Sequence, residues 1–217
     1  MNHTHHPRRV LLLLDVQTAM LSDPPLGIPA SHTLRKNISH VLAEARNAKH
    51  PPLIVHVRNT GEVGEPDEPN TSGWQLYFTP LPNEPVIDKL KNNAFAGTRL
   101  GDLIRTDAEI VVVGMQSDFS VRASESTSFL FLVSLTRVPP PPVPAFDTHI
   151  ACSAALGRGN EILLIRGAHG TYDRFEVLYG GGVTPATRIE NEIEEELEEA
   201  GVHLLDMKDL PEIFTDR

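Results

Sequence analysis

Five consecutive apolar residues, Val10-Leu-Leu-Leu-Leu14, stop at a carboxylate, Asp15. A strand that is apolar at every position must be covered on both faces, which is the situation of a parallel sheet sandwiched between helices. The pattern returns at Leu53-Ile-Val-His-Val57 and most clearly at Glu109-Ile-Val-Val-Val-Gly114. Between the first two runs, Leu34, Ile38, Val41, Leu42 and Ala45 recur at helical spacing from Ser31 to Ala48, and Pro51-Pro52 end the pattern. Strand, helix, strand in this order predicts a mostly parallel sheet with right-handed crossovers, a three-layer α/β/α sandwich.

The rest of the chain extends the alternation. Val86-Ile87 suits a short strand, Thr98 to Arg105 a helix, Glu161 to Ile165 a strand, and Val202 to Leu205 a last short strand. Residues 185–200 place Ala186, Ile189, Ile193, Leu197 and Ala200 on one stripe, with seven glutamates between Glu190 and Glu199 forming a solvated face. The stretch from Thr60 to Glu84 is rich in Gly, Pro, Asn and Glu and carries Trp74, Tyr77 and Phe78, so it reads as a long connection over one end of the sheet. Residues 125–151 break the rhythm: Pro139 to Pro142 forbid a helix, and the preceding apolar stretch has no periodic partner. The resulting division is a tail at 1–8, one domain at 9–207 interrupted at 125–151, and a C-terminal tail at 208–217.

Composition excludes several classes of function. With 19 Lys and Arg against 29 Asp and Glu, the formal charge of -10 repels phosphate backbones and anionic lipid, so no nucleic-acid partner is expected. No apolar run approaches the roughly 20 residues that span a bilayer, and no membrane association is expected. One cysteine, Cys152, makes neither an intramolecular disulfide nor a multi-thiolate metal site, which favours a cytoplasmic protein. His3, His5 and His6 belong to a tail that frays.

Chemistry is expected where strands end, because open α/β sheets place their sites at the carboxyl edge. Asp15 follows the first strand, Lys89 follows Val86-Ile87, and Gly114-Met-Gln-Ser-Asp-Phe-Ser120 follows the fourth strand. Taken singly, Asp and Ser cap helices and Lys is mostly solvated; it is their convergence at one edge that marks a site. Leu11-Leu-Leu-Leu-Asp15-Val-Gln17, Val86-Ile-Asp-Lys89 with Ala94-Phe-Ala-Gly-Thr98-Arg-Leu100, and the segment from Val111 to Ala123 resemble, in order, the first strand, the lysine segment and the nucleophile turn of the isochorismatase-like cysteine hydrolases. Glu161 to Ile165 and His169-Gly-Thr-Tyr-Asp173 resemble the strand and loop that follow. The resemblance covers about residues 9–124 and 152–207.

That resemblance implies hydrolysis of a small amide or of an isochorismate-like vinyl ether, with Asp15 as proton shuttle, Lys89 as the accompanying cation and the residue at 120 as nucleophile. It further implies a cis peptide at Met115-Gln116, an oxyanion-binding turn formed by Gln116 and Ser120, and a homo-oligomeric assembly. Gln17, Trp74 and Phe95 are candidates for the substrate pocket, with Tyr77 and Phe78 nearby. No cofactor is implied, and a metal site is not expected, since His56-Val-Arg58-Asn-Thr60 lacks the Asp-x-His of the zinc-dependent nicotinamidases. The chain departs from the family at position 120, where Ser120 stands in place of cysteine. A serine hydroxyl is several units less acidic than a thiol and usually needs a histidine base. His56 and His169 lie in other βα units, and Cys152 suits buried packing. Two readings follow: a serine-dependent hydrolase, or a catalytically impaired relative retained for binding or assembly.

Overall fold

The computed structural model describes residues 8–115, 147–176 and 182–215. In chain order it contains β1 (Arg9–Leu14), α1 (Thr18–Leu21), α2 (Ser31–Asn47), β2 (Leu53–Asn59), β3 (Val86–Lys89), α3 (Leu100–Leu103), β4 (Glu109–Met115), α4 (Asp147–Gly157), β5 (Glu161–Gly170), β6 (Arg174–Glu176), β7 (Gly182–Thr184), α5 (Ala186–Glu199) and β8 (His203–Leu205). A 3-10 turn (Met207–Asp209) then leads into α6 (Leu210–Ile213). Six strands form one parallel sheet in the order β3-β2-β1-β4-β5-β8, and β6 and β7 form a separate antiparallel pair.

The uniformly apolar strands are explained by what covers them. On β1, Val10, Leu12 and Leu14 pack with Ala151, Cys152 and Ala155 of α4 and Ile189, Ile193 and Leu197 of α5. Leu11 and Leu13 face the other way, into Leu34, Ile38, Val41, Leu42 and Ala45 of α2 and Leu210 and Ile213 of α6. Successive side chains of a strand point to opposite faces, so a sheet with two helical layers demands apolar residues at both. The expected three-layer sandwich is the fold observed.

Three boundaries differ from the sequence expectation. Leu210, Ile213 and Phe214 are buried, so packing runs past residue 207 into what the sequence reads as a tail. Helix α4 begins at 147, inside the segment read as an interruption, and Thr148 and Ala151 are buried there. The helix expected over Thr98 to Arg105 is the single turn α3, with the hydroxyl of Thr98 donating to the Ala94 carbonyl just ahead of it.

Two backbone features shape the carboxyl edge. Gly114 near the end of β4 has φ +147, and a Cβ there would stand 2.1 Å from the Leu14 carbonyl oxygen, so only glycine lets β4 approach β1 this closely. In β5 the pairing with β4 jumps from Val112↔Leu164 to Gly114↔His169, a bulge through Arg166 and Gly167 that carries His169 to the sheet edge.

Candidate active site at the carboxyl edge

Asp15 leaves β1 at φ +52, a left-handed conformation that Asp tolerates better than most residues. Its N–H still donates to the Val57 carbonyl, so the kink redirects the side chain without freeing the backbone from the sheet. Lys89 is the last residue of β3, two strands away, and its register partner is Asn59 at the end of β2. Both ionic side chains are essentially without solvent contact, and Lys89 Nζ lies 3.2 Å from Asp15 Oδ2. Removing two charges from water costs several kcal/mol per ion, a cost that their mutual attraction offsets only when they are paired. A carboxylate and an ammonium drawn from β1 and β3 therefore meet at the edge where the sequence places them.

The pair is short of hydrogen bonds on its acidic side. No hydrogen bond to Asp15 Oδ1 or Oδ2 is found among the described residues; the Lys89 ammonium meets Oδ2 as an ion pair. A buried carboxylate beside an ammonium, with lone pairs unused among the described residues, is placed to accept a proton from an incoming group.

Gln17 has a different role from that expected. Its Oε1 accepts from the Asn59 N–H at 2.9 Å, and its Nε2 donates to the carbonyls of Asn59 and Trp74 at 3.2 Å each. It therefore clamps the end of β2 and the long connection onto β1. Trp74 belongs to that connection: the Arg58 guanidinium lies 3.3 Å from its ring centroid, and Arg58 also forms a two-pronged pair with Asp88 at 2.7 and 3.1 Å. Phe95 packs against the apolar layer of α4 and α5, with the Arg158 guanidinium 5.0 Å from its ring centroid. Gln116 and Ser120, with the Met115-Gln116 peptide, lie outside the described residues.

The histidines are otherwise engaged. His56 Nε2 lies 3.0 Å from Glu84 Oε2, and burial pushes its pKa down despite that carboxylate. His169 Nε2 lies 3.0 Å from Glu194 Oε1, and Arg166 Nε donates to the other oxygen of Glu194. Burial opposes ionisation of Glu194, but His169 and Arg166 outweigh it and hold its pKa down. Cys152 is fully buried, and burial raises its thiol to about 12, which fits a packing cysteine and not a nucleophile. No group of three or more His, Cys, Asp or Glu able to hold a metal occurs among the described residues. None of their helices is long and apolar enough to cross a membrane.

Two participants escaped the sequence reading. Asn59 donates to Asp67 at 2.7 Å and accepts from Lys89 at 3.2 Å. A polar residue ending an apolar strand, the signal that singled out Asp15, was equally present at Asn59. Asp67 sits in an acidic loop and carries no such signal.

Comparison with known proteins shows the family and the fold. The isochorismatase domain model matches residues 9–127. A streptothricin hydrolase of Streptomyces noursei is 34% identical over 172 residues, 77% of this chain and 56% of that protein. The chain thus spans about half the length of the curated relatives it matches. Among solved structures, an isochorismatase-family hydrolase from Chromobacterium violaceum superposes with a TM-score of 0.71 at 22% identity, covering 95% of this chain and 93% of its own. An N-carbamoylsarcosine amidase from Thermoplasma acidophilum gives 0.62 at 15% identity, covering 92% and 96%. The match spans more than half of the chain and includes Asp15, Gln17, Lys89 and the β4 edge: this protein belongs to the isochorismatase family.

Proposed function

We propose that the chain is an isochorismatase-like hydrolase acting on a small amide or on an isochorismate-like vinyl ether, with Asp15, Lys89 and Ser120 as its reacting groups. The observation that carries this reading is the solvent-free Asp15–Lys89 pair, whose carboxylate keeps its acceptor capacity unused among the described residues. A relative named for hydrolysing streptothricin favours the amide. In that case the Ser120 oxygen adds to the carbonyl carbon as its proton passes to Asp15, and N–H groups of the turn at 116–120 receive the oxyanion. The protonated Asp15 then returns the proton to the departing amine, and water attacks the ester left on Ser120 with Asp15 again as base. Lys89 supplies the positive charge beside Asp15 during these transfers.

Serine makes this route slow, because a carboxylate is a weak base for an alcohol. That single residue favours the second reading, an impaired relative kept for binding or assembly as a homo-oligomer. Mass spectrometry after incubation with a panel of small amides separates the two. Turnover that is lost in Ser120→Ala and kept in Cys152→Ala identifies a serine enzyme. Turnover that arises only in Ser120→Cys identifies an impaired one, and no turnover in any form removes the hydrolase reading. The sequence features that favour a cytoplasmic protein and disfavour nucleic-acid or membrane partners apply to either reading.

A further inference from the structure

We infer that Asn59 is a positioning residue of this site: its side-chain amide, held between Lys89 and Asp67, fixes the ammonium against Asp15 and ties the 60–84 connection to the sheet. The inference deepens the hydrolase reading and rests on it for its kinetic consequence, but not for its geometry.

Asn59 is bonded at every polar group. Its N–H and C=O are both taken by Gln17, Oδ1 accepts from Lys89 Nζ at 3.2 Å, and Nδ2 donates to Asp67 Oδ2 at 2.7 Å. A primary amide has a donating end and an accepting end. The carboxylate of Asp67, itself buried, accepts only, so it fixes which end turns toward it and leaves the carbonyl oxygen facing the ammonium. Asp67 is seated in turn by Gly61, whose N–H donates to the Asp67 carbonyl and where a Cβ would lie 2.2 Å from Asp67 Oδ1. The Thr60 N–H donates to the Lys89 carbonyl, so side chain and backbone hold β2 and β3 together at the same level.

Neutrality at residue 59 is the point of this arrangement. A carboxylate there would stand in hydrogen-bond range of the Asp67 carboxylate and would offer Lys89 a second anion in competition with Asp15. An aliphatic residue would leave both the ammonium and Asp67 short of a partner in a site without water. The amide alone meets a cation on one side and an anion on the other while adding no charge.

The test uses four forms of the full chain: unaltered, Asn59→Leu, Asn59→Asp, and Asn59→Asp with Asp67→Asn, the last restoring one donor and one acceptor across the pair. Lysine ammonium resonances in 1H–15N NMR report on Lys89 with no need for turnover, its signal being assigned by its loss in Lys89→Met. Asn59→Leu is expected to shift or broaden that signal and to speed hydrogen exchange of amides in the 60–76 loop. In a Ser120→Cys background, it is expected to lower kcat about tenfold to 100-fold, with KM changed by less than about threefold. The swapped pair is expected to regain thermal stability but not kcat. Its pH profile is expected to differ from that of the unaltered chain, because the swap moves a carboxylate from position 67 to position 59, beside Lys89. An unchanged Lys89 signal in Asn59→Leu overturns the inference, as does a swapped pair that regains kcat and the original pH profile together with stability. Should Asn59→Leu fail to fold, the swapped pair decides. A Lys89 signal that moves in a chain with no turnover in any background upholds the positioning geometry and removes the hydrolase reading instead.

Discussion

Two of the charge clusters buried against the sheet among the described residues, one toward each end of its strands, are built on opposite terms. Near the amino edge, Glu84 is saturated: Arg46 reaches its two oxygens at 2.8 and 2.7 Å, and the Leu81 N–H and His56 Nε2 stand 2.9 and 3.0 Å from Oε2. Burial alone would raise this carboxyl, but the hydrogen bonds outweigh it and hold it down to about 2. At the carboxyl edge Asp15 is equally buried, yet it has one ammonium beside it and no hydrogen bond to its carboxylate among the described residues. The Glu84 carboxylate is met by four hydrogen bonds and joins α2, β2 and the approach to β3. An unsaturated one stores unsatisfied polarity, which a fold tolerates where function requires it. The comparison teaches that burial of charge does not by itself mark a candidate site; what sets Asp15 apart from Glu84 is the acceptor capacity left unused among the described residues.

The strongest way to break this contrast is to neutralise each acid in turn. Asp15→Asn is expected to lower turnover about 100-fold to 10,000-fold, the range for losing a positioned acid-base group, and to lower the melting temperature, because Lys89 is left buried without its counter-ion. Steady-state kinetics in the Ser120→Cys background, beside thermal denaturation, checks both halves. Turnover in Asp15→Asn within about twofold of the Ser120→Cys parent would make the two clusters alike.

Glu84→Gln is expected to cost about 3 kcal/mol of stability in denaturant titration while leaving kcat within about twofold. The same cluster gives the pH dependence. The folded pKa of Glu84, about 2, lies below its unfolded value, so its contribution is complete above the unfolded pKa and is lost as pH falls through the folded one. His56 acts in the same direction, since burial lowers its pKa and its protonation below the unfolded value favours unfolding. Stability measured from pH 7 down to pH 2 is expected to fall, and Glu84→Gln is expected to flatten the lower part of that fall.

Cys152→Ala sharpens the contrast at its weakest point. Removing a packed sulfur between α4 and the sheet is expected to cost about 1 kcal/mol with no change in the ratio of Ser120→Cys turnover to that of Ser120→Ala. Loss of turnover in Cys152→Ala would give the thiol a part that its burial argues against.

The sandwich was legible because two-sided burial imposes apolar residues at consecutive positions, as at Val10 to Leu14 and Ile110 to Val113, and a helix on a sheet imposes the stripe seen from Leu34 to Ala45. Asp15 and Lys89 were legible because polar residues ending such strands stand out. The extension of packing to Leu210, Ile213 and Phe214 was not, since a single helical turn is too short to show a period. Nor was the work of Gln17, which the sequence offers as a pocket residue and the structure uses as a clamp across β1, β2 and the Trp74 loop.

By itself the sequence determined the layered architecture and the polar residues that end its strands, a carboxylate and an ammonium among them, because periodicity and strand ends are local properties of the chain. Only the tertiary structure decided how those groups are partnered. Whether a buried carboxylate is saturated like Glu84 or left open like Asp15 depends on side chains far apart in sequence meeting within about 3 Å, and hydrogen bonding of that reach leaves no local trace.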